Sequence, residues 1–129
     1  SEKTLSLIRE YTEPRIVREW TEIADGIALT GPLGTDTREQ SLAIRVPGGY
    51  LVVTGCAHPH ISRIIERIAR VGPVWGVIGG LHTVSDEDIE ALAGVAYLSA
   101  SHCTDKIAEL AERYPASFRP GGAGKVHRV

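Results

Sequence analysis

Three short loops in the second half of this 129-residue chain carry histidine, two of them beside cysteine. Their sequences are Cys56-Ala57-His58-Pro59-His60, Gly79-Gly80-Leu81-His82 and Ser101-His102-Cys103-Thr104. Zn²⁺ and related metals prefer imidazole and thiolate ligands, so a metal site would form if these loops converge. The alternative is that each histidine is solvated or caps a helix, and that each cysteine is a small buried hydrophobic residue. Three histidines at equivalent positions favour the metal site.

Each histidine loop connects an apolar run to a segment with helical spacing. The apolar runs are residues 50–55, 74–78 and 95–100, which predict strands. Pro59 is predicted to lie in the first turn of the first of these helices. Ser85 and Thr104 are predicted to be the N-caps of the second and the third. Repeated β-then-helix units predict parallel strands joined by right-handed crossovers. Because ligand sites gather at the carboxyl ends of parallel strands, we expect the three loops at one edge of the sheet.

The first half of the chain predicts antiparallel hairpins. Residues 15–23 and 27–30 flank the turn signal Asp25-Gly26, and residues 41–46 precede Pro47-Gly48-Gly49 and the run at 50–55. Helical spacing within residues 15–23 leaves a helix open as the alternative there. Leu5, Ile8 and Tyr11 predict a short N-terminal helix. We interpret residues 1–129 as one α/β domain.

The predicted parallel strands are apolar on both faces, so both faces of the sheet should be covered. Crossovers of the same hand place all three helices on one side. The second side needs another layer, for which this chain offers only its hairpins and its N-terminal helix. We therefore expect a second copy of the chain, giving a homodimer, or a separate partner protein to cover that side.

The composition excludes several classes of function. A formal net charge of -2 with dispersed basic residues argues against nucleic acid and anionic membranes as partners. The apolar runs are shorter than the roughly 20 residues that span a bilayer, so a cytoplasmic protein is expected. The chain has no Asn or Met and one Gln, which is typical of a thermophile. Cys56 and Cys103 follow strands expected roughly 10 Å apart, too far for an easy disulfide.

Taken together, residues 54–59 and the two later histidine loops resemble the metallo-β-lactamase superfamily. More narrowly, they are similar to its branch of dihydropterin ribofuranosylaminobenzene phosphate synthases and related metal-dependent hydrolases. Thr30-Gly31 and Glu39-Gln40-Ser41-Leu42 share this resemblance. It implies the C-terminal half of a four-layer αββα sandwich, with a mixed sheet that has β-hairpins first and three parallel β-α units after them.

The resemblance also implies a set of site residues. His58 and His102 correspond to metal ligands, whereas His82 occupies the loop that usually supplies a bridging aspartate. Histidine is a poor bridging ligand, so His82 is expected to bind a single metal or to contact the substrate. Further candidates are Cys56 and Cys103 as ligands, and Glu39, Gln40 and Thr104 as substrate-binding residues. The expected cofactor is a divalent transition metal, with zinc favoured by the ligand types.

The superfamily's His-x-His-x-Asp-His loop has no counterpart in these 129 residues. Catalytic zinc needs about three protein ligands, so His58 and His102 require His82, Cys56 or Cys103 to complete the set. We therefore hypothesise a metal-dependent hydrolase that acts on a small molecule as one part of a two-part or dimeric site. The alternatives are a non-catalytic dimeric half-domain that binds a metal or small ligand, a pterin-precursor synthase-like activity, and an excised fragment of a longer enzyme.

Overall fold

The computed structural model describes residues 2–128 of the chain and contains six strands and four helices within them. The strands are β1 (Thr21–Ala24), β2 (Ile27–Leu29), β3 (Leu42–Val46), β4 (Gly49–Thr54), β5 (Val74–Gly80) and β6 (Tyr97–Ser101). The helices are α1 (Glu2–Arg9), α2 (Ile61–Ala69), α3 (Asp86–Leu92) and α4 (Ile107–Arg113).

All six strands form one sheet in sequential order. Strands β1 to β4 pair antiparallel, and β4, β5 and β6 pair parallel. Gly26 supports the first hairpin with a φ of 67°, a left-handed conformation that glycine adopts without strain. The predicted α/β class is confirmed, with hairpins first and three parallel β-α units after them.

Two strands begin two or more residues later than predicted. Strand β1 begins at Thr21 rather than at residue 15, because the backbone of Glu19 lies directly against Gly31 and does not pair within the sheet. Strand β6 begins at Tyr97 rather than at residue 95, since the amide of Val95 donates to Leu92 O at the end of α3. The residue at which an element begins depends on local hydrogen bonds that periodicity does not resolve.

The predicted caps had different outcomes. Ser85 is the N-cap of α3 and forms a capping box with Asp88, as predicted. Thr104 is not a helix cap, because α4 begins after Lys106. The Thr104 hydroxyl instead donates to Ser101 O at 2.9 Å and accepts from Leu81 N at 3.0 Å, so it joins two of the histidine loops.

The core lies on the sheet face that α2, α3 and α4 cover. The floor of the core is a row of buried residues that pair with one another across β2 to β6: Ala28, Ala43, Val52, Val77 and Leu98. The three helices contribute side chains that are at most 1% exposed and that form one buried cluster with the floor residues of β3 to β6: Ile61, Ile64, Ile68, Leu92 and Leu110. Each fully buried side chain of this size stabilises the fold by about 1.5–3 kcal/mol relative to leaving it exposed.

The opposite face of the sheet is half exposed. Leu29, Leu42, Val53 and Ile78 pair in register across β2 to β5, and all four are partly solvent-exposed. Helix α1 has no buried residue, so it does not pack on the sheet as a second core layer. The predicted second layer on this side is therefore not formed within residues 2–128. No helix among the described residues is long and apolar enough to cross a membrane.

Candidate metal centre

The three histidine loops leave the carboxyl ends of β4, β5 and β6 at one edge of the sheet. Backbone hydrogen bonds connect them: Gly80 N donates to Gly55 O, and Asp105 N donates to His82 O, both at 3.0 Å. His82 and His102 have φ values of 51° and 24°. Residues other than glycine rarely adopt positive φ, and such backbone strain occurs often at functional sites. The loops are thus held in a fixed arrangement.

A first cluster consists of Cys56, His102 and Cys103, whose ligand atoms all lie within 4.8 Å of one another. Cys56 Sγ is 3.5 Å from His102 Nε2. In a tetrahedral zinc site, Zn–S and Zn–N bonds of about 2.3 and 2.0 Å place sulfur and nitrogen about 3.6 Å apart. The observed separation fits one edge of such a tetrahedron, so these three residues suit a thiophilic divalent metal.

Gly80 provides the space that this cluster occupies. A Cβ at this position would lie 2.5 Å from Cys103 Sγ and 2.6 Å from His102 Cε1. Such contacts are not tolerated without displacement of the sulfur or the ring. The second glycine of the Gly79-Gly80 pair therefore allows the end of β5 to approach the two ligand candidates of the β6 loop.

Both cysteines are free, although their sulfur atoms lie within 4.8 Å of each other. Strands β4 and β6 are separated by β5, as the predicted sequential order requires, but the side chains of Cys56 and Cys103 lie closer because the loops after β4 and β6 turn toward each other over the end of β5. A hydrogen bond with the Cys103 side chain is the main cause of a raised pKa at Cys56, and burial adds to it. A bound cation would reverse this shift, because metal-ligating thiols are deprotonated.

A second cluster is formed by Glu39, Cys56 and His58. His58 Nδ1 hydrogen-bonds to Glu39 Oε1, and the His58 amide donates to Glu39 Oε2 at 3.3 Å. Burial raises the pKa of Glu39, but the hydrogen bonds from His58 outweigh it and lower the pKa below its usual value. Carboxylates commonly hold metal-binding histidines through this contact, which leaves His58 Nε2 as the free ring nitrogen.

His82 lies next to the second cluster. Its ring centroid is 4.3 Å from that of His58, with the planes inclined by 45°. His82 is exposed and belongs to neither three-residue cluster among the described residues. Cys56 is common to both clusters, so the structure brings His58, His82 and His102 to one site, and their roles as ligands stay predictions.

The predicted substrate-binding residues occupy different environments. Glu39 lies at the site, and Gln40 is exposed beside it in sequence. Thr104 is 8% exposed, and both hydrogen bonds of its hydroxyl are internal. The observed function of Thr104 is to connect the loops; a contact with substrate stays a prediction.

Sequence reasoning did not identify the contact between His60 and Asp88. His60 Nδ1 lies 2.8 Å from Asp88 Oδ2, and Asp88 also accepts from Ser62 N and Ser85 N. Burial raises the pKa of Asp88, but the hydrogen bonds from Ser62, Ser85 and His60 lower it to about 2. The signal available in the sequence was the presence of His60 two residues after His58. In the structure, His60 is the N-cap of α2 and has an unusual φ of 73°.

The chain is similar to proteins of known sequence and known structure. No family model matches it. It is 33% identical over 101 residues to 7,8-dihydropterin-6-methyl-4-(β-D-ribofuranosyl)-aminobenzene-5'-phosphate synthase of Methanocaldococcus jannaschii, covering 68% of this chain and 34% of that protein. The chain thus spans about a third of the length of this relative.

Two solved structures are also similar. One is a metal-dependent hydrolase of the β-lactamase superfamily, with a TM-score of 0.76 and 25% identity, covering 92% of this chain and 59% of that one. The other is a metallo-β-lactamase from Erythrobacter litoralis, with a TM-score of 0.43 and 14% identity, covering 89% of this chain and 50% of that one. The first similarity, together with the relative that is 33% identical, confirms the family predicted from the three loops. The chain belongs to the metallo-β-lactamase superfamily.

Proposed function

We propose that this chain provides the metal-binding loops of a metal-dependent hydrolase, and that its metal is zinc. The observation that carries the proposal is the convergence of Cys56, His102 and Cys103, whose ligand atoms lie within 4.8 Å of one another. Two thiolates and an imidazole suit zinc, whereas Mg²⁺ and Ca²⁺ prefer oxygen ligands. The similarity to a metal-dependent hydrolase with a TM-score of 0.76 supports the same class of chemistry.

The residues around the cluster have separate roles in this proposal. A divalent metal there would act as a Lewis acid on a carbonyl or phosphoryl oxygen. Glu39 fixes the orientation of His58 by accepting the hydrogen bond from Nδ1, so that Nε2 remains available as a ligand. His82 lies against the His58 ring and is exposed to solvent, which places it where it can contact a substrate.

The remaining ligands are proposed to come from a second copy of the chain or from a partner protein. These 129 residues lack a His-x-His-x-Asp-His loop. The half-exposed row of Leu29, Leu42, Val53 and Ile78 gives such a partner an apolar surface to cover. The substrate class in this proposal is a small-molecule ester or phosphoester.

Two alternatives have support of their own. The relative that is 33% identical favours a pterin-precursor synthase-like activity in an assembly that contains this chain. The clustered ligand atoms of Cys56, His102 and Cys103 equally suit a non-catalytic half-domain that binds a metal or a small ligand. Both alternatives keep the metal cluster and differ from the hydrolase in what happens to a substrate.

Cobalt substitution tests the metal cluster directly. The full chain is stripped with a chelator and titrated with Co²⁺, and a thiolate-to-cobalt absorption band is expected to saturate near one equivalent. Cys56→Ser and Cys103→Ser should each weaken or shift this band, and His102→Ala should weaken binding. His127→Ala is the matched control, because His127 contacts Tyr97 rather than a cysteine. Absence of the band in the wild-type chain, or an unchanged band in both cysteine variants, would overturn the proposal.

A second measurement separates an enzyme from a binding module. The zinc-loaded chain is assayed against an activated carboxylic ester and an activated phosphodiester, and hydrolysis is expected to depend on His58 and His102. A chain that binds one metal stoichiometrically and hydrolyses neither probe as the purified assembly would favour the non-catalytic alternative.

A further inference from the structure

A cleft of about 790 Å³ opens next to the second cluster, between the loop of residues 33–37 and one side of α2. His58 and His60 also line this cleft. A cleft of this size matches the pockets of about 300–1,000 Å³ that bind small molecules. Its position places any ligand beside a residue of the candidate metal centre.

Three arginines of α2 line the cleft, and they are Arg63, Arg67 and Arg70. Their spacing of four and three residues places them on one side of the helix, about one turn apart. Arginine guanidinium groups bind phosphate through two parallel N–H donors, and two such groups can share one tetrahedral dianion. Asp36 and Glu66 also line the cleft, so its suitability for an oxyanion depends on which arginines lack a carboxylate partner.

The three arginines are not equally available. Arg70 is paired with Glu66 at 2.7 Å, which leaves it little capacity for a ligand. Arg67 lies over the Trp20 ring, 5.7 Å from its centroid, a contact that orients the guanidinium and leaves its N–H edge free. Within residues 2–128, neither Arg63 nor Arg67 has a carboxylate partner within 4.0 Å.

His60 adds a directed group to the lining of the cleft. Its Nδ1 is held by the buried carboxylate of Asp88 at 2.8 Å, and its side chain is 49% exposed. With Nδ1 bound to the carboxylate, Nε2 is the nitrogen left for a ligand. The φ of 73° at His60 shows that the backbone accepts strain to keep this position.

From this geometry we infer that the cleft binds the phosphate of a small phosphorylated ligand, with Arg63 and Arg67 as its principal contacts and His60 between them and His58. The inference rests on the proposed function, since it assigns the substrate class of that site to phosphate esters. A phosphate is favoured over a carboxylate because Arg63 and Arg67, neither of which is paired with a carboxylate of the described residues, lie one helical turn apart on α2 and together provide more donors than a planar carboxylate accepts.

The test uses the full chain in metal-free form, so that phosphate bound to a metal does not contribute. Binding of phenyl phosphate, with benzoate as its carboxylate counterpart, is measured by isothermal titration calorimetry at two salt concentrations. Arg63→Gln and Arg67→Gln should each weaken phenyl phosphate binding by roughly 10-fold or more, as expected for the loss of a charged hydrogen bond. Arg113→Gln on the exposed surface of α4 is the matched control and should bind as the wild type does.

The outcomes distinguish this inference from the proposed function. If the arginine variants lose phosphate binding and keep the cobalt band and the circular dichroism of the wild type, the cleft is the phosphate site. If the wild-type chain binds benzoate as tightly as phenyl phosphate, or if Arg113→Gln weakens binding as much as the cleft variants, the inference is wrong. The cobalt experiment still decides the metal centre in either case.

Discussion

Replacement of Asp88 by asparagine tests whether one buried carboxylate connects α2, α3 and His60. Asp88 is 1% exposed, and it accepts hydrogen bonds from Ser62 N, Ser85 N and the Ser85 hydroxyl at 2.8–3.0 Å. Asparagine preserves the volume but presents an NH₂ group to donors that need an acceptor. The variant should therefore lose the free energy of the charged hydrogen bonds and create an unsatisfied buried donor.

The magnitude follows from the pKa of Asp88, which is lowered from 3.8 to about 2. At 1.36 kcal/mol for each pKa unit, the ionised carboxylate stabilises the fold by roughly 2 kcal/mol at neutral pH. For a chain of this length, an unfolding entropy of about 2.1 cal/mol/K per residue converts this loss into a fall in Tm of roughly 7 °C.

The pH dependence has a defined sign. Because the folded-state pKa is below the unfolded value, the stabilisation is fully present above pH 3.8 and is lost as the pH falls toward 2. The difference in unfolding free energy between the wild type and Asp88→Asn should therefore be about constant from pH 7 to pH 5. It should shrink below pH 4 as the wild-type carboxylate becomes protonated.

Urea unfolding followed by circular dichroism at several pH values measures this difference. Asp86→Asn is the matched control, because Asp86 lies in the same first turn of α3 but its side chain is 98% exposed. The control should change stability by no more than about 0.5 kcal/mol. The reasoning fails if Asp88→Asn matches this control at pH 7, or if its effect is the same at pH 3 as at pH 7.

Three other substitutions probe the site and the sheet. Gly80→Ala should destabilise the fold by about 1–3 kcal/mol in urea unfolding and abolish the cobalt band, because its Cβ would lie 2.5 Å from Cys103 Sγ. Gly94→Ala has open space at the corresponding Cβ and serves as the control; equal effects would contradict the reasoning. Glu39→Gln should weaken metal binding roughly 10- to 100-fold in a chelator competition, since it loosens the hold on His58, and unchanged affinity would exclude that role. Val53→Asp should shift the sedimenting species from dimer to monomer if a second copy covers the half-exposed face. A compact wild-type monomer at micromolar concentration would contradict the homodimer.

The order and type of the later elements could be predicted because the relevant physics is local. Apolar runs that alternate with helical stripes predicted β4 to β6 and the helices after them, and parallel pairing followed from that repetition. Ser85 was recognised as an N-cap because its hydrogen bond to the N3 amide involves residues close in sequence. The histidine loops were expected at one edge because the carboxyl ends of parallel strands always meet there.

Distances within the site were decided by tertiary structure alone. The two sulfur atoms lie within 4.8 Å because the loops after β4 and β6 turn toward each other, whereas strand order by itself predicted a separation of about two strand spacings. Thr104 joins two loops instead of capping a helix, since its partner Leu81 N comes from a different β-α unit.

What the sequence determined by itself is therefore which residue types this protein brings to the sheet edge: four histidines and two cysteines in loops after parallel strands. What only the folded chain decided is which of them touch. Cys56 lies with His102 and Cys103, His58 lies with Glu39 and His82, and His60 reaches Asp88. Periodicity reports which side of an element is buried. Contacts between side chains of separate loops depend instead on backbone turns and on the space of a few ångströms that a glycine without a Cβ leaves, and neither has a periodic signal.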